Sequence, residues 1–240
     1  MTLHDAWNAE ADRWAAWART PDHDGSYAFQ APLFLDLLPP PGRLTLDVGC
    51  GEGRLTRDLT ARGHRVVGAD VAPRMIELAA EADPEGEYVV ADAADLPFEA
   101  GAFDLGVAFM SLHDMENMAG AVREVARVLE PGARMCAAVV HPLAASGAFE
   151  GDDPDAPFVV RESYLERKRW RETLERRGLA ITLNSVHPPL GDYARALEDA
   201  GFLLEALREP TPPDSIVARD EAWRRWRRIP MFLHLRAVRP

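Results

Sequence analysis

Along residues 3–19 the apolar positions fall at helical spacing, with Leu3, Trp7 and Trp14 near one face and Trp17 three residues further on. The segment "TPDHDGS" breaks that helix, and residues 31–38 read as a second short one stopped by "PPPG". From there the pattern changes to short apolar runs separated by amphipathic stretches. "RLTLDV" reads as a buried strand, "GRLTRDLTARG" as a helix with Leu55 and Leu59 inward and Gly63 at its C-cap, and "HRVVGAD" as a second strand. "PRMIELAAEA" follows as a helix with Pro73 in its first turn, then "EYVVAD" and "FDLGVAFM" as third and fourth strands. A helix over "MAGAVREVARVL", with Met118, Val122, Val125 and Leu129 on one stripe, leads into a fifth strand, "ARMCAAVV".

Strand and helix thus alternate from about residue 44 to 140, the signature of βαβ units. Right-handed crossovers wind such units into a Rossmann-like parallel sheet with helices on both faces. The alternation stops in residues 141–178, which read as a loop plus a helix inserted at the carboxyl edge of the sheet. "LAITLNSV" is compatible with an extra strand, "GDYARALEDAG" with a helix, "FLLEALREP" with a return to the sheet and "PMFLHLRAVRP" with a closing strand. The expected organisation is one domain over residues 1–240. It comprises an N-terminal helical lid (1–40), a core (42–140), a substrate-side insertion (141–190) and the last part of the sheet (191–240).

The chain has 240 residues and a formal net charge of −12, which argues against nucleic acid as a partner. Positive charge gathers in "RESYLERKRWRETLERR" (161–177) and "RDEAWRRWRR" (219–228). These read as solvated helix faces with pairs such as Glu221 and Arg225, or as a basic rim drawing in an acidic substrate. Two cysteines, Cys50 and Cys136, make no disulfide framework. No secretory h-region and no long apolar run is present, so a cytoplasmic location away from membranes is expected; the oligomeric state is not readable.

Ligands of open α/β sheets bind outside the carboxyl ends of the strands. The first such end here is "LDVGCGEG", whose glycines bring backbone close to a ligand. Asp70 ends the second strand, where a carboxylate can accept both ribose hydroxyls, or else cap the helix beginning at Pro73. Asp92 ends the third, beside an adenine edge or in an Asx-turn of its own. NAD and S-adenosylmethionine both carry adenosine and fit this much. The glycines, however, run G-x-G-x-G through Gly49, Gly51 and Gly53, not G-x-G-x-x-G, and Asp47 precedes them. An acid there suits a cationic ammonium group and disfavours a pyrophosphate.

Taken in order, "LDVGCGEG", "VVGAD", "ADAADLPF", "FDLGVAFMSLH" and "REVARVLEPGA" resemble the successive motifs of class I S-adenosylmethionine-dependent methyltransferases, over roughly residues 42–140. "SVHPPLGDYARALEDAGFLLEALREP" also resembles the C-terminal part of the small-molecule members. The resemblance implies a seven-stranded, doubly wound α/β sheet with an antiparallel final strand. It implies S-adenosyl-L-methionine as cofactor, and a site built from Tyr27, Asp47, Gly49, Cys50, Gly51, Asp70, Val71, Met75, Asp92, Ala93 and Met110. In this assignment Gly49 and Gly51 line the methionine part, Asp70 holds the ribose, and Asp92 and Ala93 frame the adenine. Met75 lies near the adenine or ribose and Met110 near the reacting methyl. Ala133 departs from the usual "PGG", far from the cofactor.

The implied reaction is methyl transfer to a small molecule, in which positioning and alignment do most of the work. His113, His141 and His187 are candidates for a general base, or else for local caps and loop contacts; no metal is expected. Trp14, Trp17 and Tyr27, with Tyr164 and Trp170 behind them, are candidate pocket walls suited to a flat or apolar acceptor. "AFMSLH" lacks the Asn/Asp-Pro-Pro-Tyr sequence of enzymes that methylate nucleobases or glutamine. The alternatives are a cofactor-binding regulator without turnover, an RNA or protein methyltransferase, and an NAD(P)-dependent oxidoreductase.

Overall fold

The computed structural model describes residues 1–151, 153–161 and 163–240; Asp152 and Glu162 lie outside the described residues. The elements in order are α1 (Leu3–Arg19), α2 (Gly25–Leu35), β1 (Thr45–Val48), α3 (Arg54–Ala61), β2 (Val66–Asp70), α4 (Pro73–Ala82), β3 (Glu87–Val90) and β4 (Phe103–Phe109). A 3-10 turn (Leu112–Asp114), α5 (Met118–Val128), β5 (Leu129–Val140), α6 (Pro142–Ala145), β6 (Gly147–Phe149), β7 (Phe158–Val160), β8 (Lys168–Arg176) and β9 (Leu179–His187) follow. The chain ends with α7 (Leu190–Asp199), β10 (Leu203–Arg208), α8 (Asp214–Val217), a second 3-10 turn (Glu221–Arg227) and β11 (Phe232–Val238).

One sheet of seven strands carries the fold, in the order β10-β11-β5-β4-β1-β2-β3. β1 to β5 pair in parallel, while β11 runs antiparallel to both β5 and β10. β1 is buried along its whole length, as a strand covered on both faces must be. The expected stripe of α5 is buried through Val125, but the helix stops at Val128 and Leu129 opens β5. The order steps outward from β1 to β2 and β3 on one side and to β4 and β5 on the other, so β1 and β4 flank the switch point.

Two expectations about elements fail. The second helix spans Gly25–Leu35, not 31–38, because the Asp24 side chain caps it by accepting from the Tyr27 N–H. The basic stretch 161–177 forms no helix: Lys168–Arg176 is a strand paired antiparallel to β9. Arg177 and Gly178 both take positive φ (49° and 79°), the two-residue turn whose twist matches a hairpin, and this pairing overrides the helix-forming Glu, Arg and Leu content of β8. Trp170, Glu172, Leu174 and Arg176 share one face of β8 and line a cavity, so the operative period was two. The hairpin and α1 lie across the carboxyl ends of the strands as a roof, with α1 packed on β9 and α4.

Candidate functional site

The roof encloses a cavity of about 1200 Å³ over the strand ends. Its floor starts at the loop after β1. Gly49, Gly51 and Gly53 all take positive φ, but their surroundings differ. A Cβ on Gly49 would strike Ser111 Cβ at 2.5 Å, whereas one on Gly51 would meet only the Trp14 indole nitrogen, at 3.7 Å. Gly51 therefore leaves a cradle open to the cavity, while Gly49 is glycine because the end of β4 passes beside it. Ser111, which sequence reasoning missed, fixes that approach by donating to the Val48 carbonyl at 2.6 Å.

The loop N–H groups are not free for a ligand, as the glycine pattern had suggested. Gly49 and Cys50 donate to the Ala69 carbonyl and Gly51 donates to Asp70 Oδ2. Asp70 Oδ1 accepts from the Ala72 N–H at 2.9 Å, so the carboxylate is aimed by two backbone donors and keeps lone pairs toward the cavity. Burial pushes its pKa up against those two bonds. Asp92 is exposed and closes an Asx-turn by accepting from the Ala94 N–H at 2.8 Å, while still lining the cavity.

Asp47 is 1% exposed. Burial, with Asp70 adding to it, raises its pKa to about 7, opposed by the hydroxyl of Thr56 donating at 2.7 Å. A second carboxyl the sequence reading passed over, Asp114, also lines the cavity and is held well above its ordinary value by burial and by Asp70. Burial next to these acids keeps the Cys50 thiol protonated. One buried and two half-buried carboxyl groups share this cavity, with no arginine or lysine bonded to them among the described residues, an arrangement that suits a cationic ligand. The residues thus fit a molecule with an ammonium end, a cationic centre and a ribose. Val71, Met75, Ala93 and Met110 complete that part of the lining. Met110 holds positive φ (57°), an unusual conformation for its side chain, at the end of β4.

Tyr27 lines the cavity with its ring under the Arg54 guanidinium (3.6 Å) and its hydroxyl donated to Asp58 at 2.6 Å. Arg54 also pairs with Asp24 at 2.6 Å. Trp14, Trp17 and Trp170 line the cavity too. Tyr164 is not among the lining residues and accepts from the Leu190 N–H instead.

The three histidines part company. His113 and His187 both line the cavity, their rings stacked at 5.5 Å between centroids and 18° between planes. Neither Nδ1 has a partner; His187 shares a bond with Ser185 Oγ at 2.9 Å, and Asp114 lies 3.7 Å from His113 Nε2. Burial lowers His113 to about 3, with His187 adding to it, and lowers His187 to about 4. His141, by contrast, is outside the cavity lining: it accepts from the Leu143 N–H at the start of α6 and sits 3.0 Å from Glu209. Glu221 meets Arg224, not the expected Arg225, whose guanidinium lies over the Phe149 ring at 5.3 Å. Among the described residues no group of three or more His, Cys, Asp or Glu is placed to hold a metal, and no helix is long and apolar enough to cross a membrane.

Residues 46–137 match the family model described as a methyltransferase domain. An uncharacterized methyltransferase of Synechocystis sp. is 39% identical over 38% of this chain and 44% of its own length. A demethylmenaquinone methyltransferase of Tropheryma whipplei is 34% identical over 39% of this chain and 40% of its own. The matches thus span less than half of these curated relatives. A crystal structure of an S-adenosylmethionine-dependent methyltransferase from Mesorhizobium loti aligns with 88% of this chain and 97% of that one, at TM-score 0.74 and 25% identity. The sheet order, the open cradle at Gly51 and the acids around it agree with these comparisons: residues 46–137 match a methyltransferase domain, in a fold similar to that of S-adenosylmethionine-dependent methyltransferases.

Proposed function

We propose that the protein transfers a methyl group from S-adenosylmethionine to a small-molecule acceptor by in-line displacement. One observation carries the reading: the acids and the glycine cradle open into a cavity of about 1200 Å³, larger than the ~300–1,000 Å³ typical of a single ligand site. That leaves room for a second molecule beside the cofactor. The name of the Tropheryma whipplei relative, demethylmenaquinone methyltransferase, supports an acceptor of small-molecule size.

When bound, the cofactor supplies a methyl group on a cationic sulfur, open to displacement by an acceptor atom. Asp47 faces its ammonium end through the Gly49–Gly51 loop, Asp70 takes the ribose hydroxyls, and Asp92 with Ala93 frames the adenine. Val71 and Met75 pack beside the adenosine, Cys50 beside the loop, Met110 at the reacting end and Tyr27 at the acceptor side. Residues 1–40 and 141–190 act as lid and substrate-side insertion over the core of residues 42–140, keeping water from the sulfur. His113 and His187 stay neutral at physiological pH and keep a lone pair each for an acceptor proton. His141 has no part in this. Calorimetry with S-adenosylhomocysteine tests the proposal: wild type binds, Asp70→Ala does not, and absence of wild-type binding at high micromolar ligand refutes it.

A further inference from the structure

Resting on the methyl-transfer reading, the second part of the cavity can be given a chemistry of its own. The acids and glycines of the cofactor part stand over β1, β2 and β3. Over the other half of the sheet, the ends of β4 and β5 and the start of β11 present Phe109, Val140 and Phe232 to the same cavity. The walls there come from elements outside the matched core: Trp17 and His23 from the α1–α2 region, Phe149 from β6, and Trp223 from the second 3-10 turn. The aromatic rings meet edge to face, Trp223 against the buried Phe29 at 5.5 Å and Phe149 against Trp226 at 5.1 Å, so the wall there is aromatic. His23 is 1% exposed with neither ring nitrogen partnered, an orphan donor and acceptor in that wall.

Three arginines line the cavity: Arg54 is paired with Asp24, Arg225 lies over the Phe149 ring, and Arg176 comes from the roof hairpin. Arg176 shares one face of β8 with Trp170, Glu172 and Leu174, and Glu175 beside it also reaches the cavity lining. One of the Arg176 nitrogens donates to the His23 carbonyl at 2.8 Å, which pins the guanidinium beside Gly25 and Trp223. No carboxylate pairs with it among the described residues, in a chain where acids outnumber bases 39 to 27. The acid on the same face, Glu172, is taken by the Trp170 indole N–H at 3.4 Å. Strand rise places Arg176 roughly 20 Å along β8 from Trp170 and so from the stacked histidines near it, at the far end of the roof.

We propose that this chamber is the acceptor site and that it takes a planar, apolar molecule bearing an anionic group, its ring between Phe149, Trp223 and Phe232 and its anion on Arg176. Equilibrium dialysis with 2-naphthoate and the neutral 2-naphthalenemethanol, on protein saturated with S-adenosylhomocysteine, tests it. Wild type should hold the naphthoate about tenfold more tightly than the alcohol, the scale of one charge-assisted contact. Arg176→Gln should erase that preference while leaving the alcohol unchanged, and Arg176→Lys should restore part of it. Equal binding of the two probes by wild type, or an equal loss of both in Arg176→Gln, overturns the proposal. Calorimetry with S-adenosylhomocysteine on the same samples separates the two readings. If the nucleoside fails to bind while the Arg176-dependent preference persists, the methyl-transfer reading falls and the anion site stands.

Discussion

Replacing Asp47 with asparagine should make the empty protein more stable and the cofactor site useless. In the folded chain the carboxyl titrates at about 7 against an ordinary 3.8, because burial and Asp70 penalise its charge more than Thr56 favours it. The folded state therefore holds this proton more tightly than the unfolded chain. Between 3.8 and about 7 the unfolded state binds fewer protons, so stability falls as pH rises through that window and levels off above it. A shift of about three pKa units corresponds to an upper bound of about 4 kcal/mol at pH 8. For a chain of this length that is roughly 10 °C in melting temperature. The asparagine amide oxygen can still accept from Thr56, so the hydrogen bond survives and only the charge goes. Thermal melts of wild type and Asp47→Asn from pH 4 to pH 8 measure the effect: the curves should coincide at the acid end and separate progressively above it, with the variant higher. Calorimetry on the same samples should show binding of S-adenosylhomocysteine, which carries the ammonium group, weakened at least about tenfold. A variant that melts at or below wild type at pH 8, or a gap that does not change with pH, refutes the reasoning.

Gly51→Ala should cost only about 1–2 kcal/mol of stability, from its positive φ, yet abolish nucleoside binding by filling the cradle under Trp14; Gly49→Ala, which strikes Ser111, should destabilise far more, and melting beside calorimetry tells them apart. Glu52, 1% exposed and bonded to both Arg19 (2.7 Å) and Arg57 (3.0 Å), ties α1 to the glycine loop, so Glu52→Gln should lower stability by about 3 kcal/mol in chemical denaturation. His113 and His187, lowered to about 3 and about 4, should show no imidazole titration between pH 5 and pH 8 in nitrogen-resolved NMR of the ligand-free protein; a midpoint near 6.5 at either would contradict their burial.

What could be read from the sequence and what could not divide along the sheet itself. The cofactor half was readable because its ligand demands residue types at fixed offsets: an acid before the glycines, an acid at the end of β2, another after β3. Asp47, Asp70 and Asp92 all line one cavity. Even there, the sequence did not disclose that the loop N–H groups are spent on Ala69 and Asp70, because hydrogen-bond partners are a matter of tertiary approach. The helix expected over 161–177 failed for a related reason. Its Arg and Glu residues favour a helix locally, and only the partner strand from Leu179 to His187 and the Arg177–Gly178 turn decide otherwise. His141 and His187 show the limit most plainly. Both were candidates for a general base, but His141 is consumed by a helix cap and Glu209, while His187 reaches the cavity from the roof and not from the sheet. The half proposed for the acceptor is assembled from α1, α2, β6, β8 and the turn at Glu221–Arg227, segments more than a hundred residues apart in places, whose spacing obeys no cofactor. A fold that holds a donor through one half of its sheet leaves the other half free to vary, and the residues proposed to choose the acceptor are those whose placement depends on the roof closing over it.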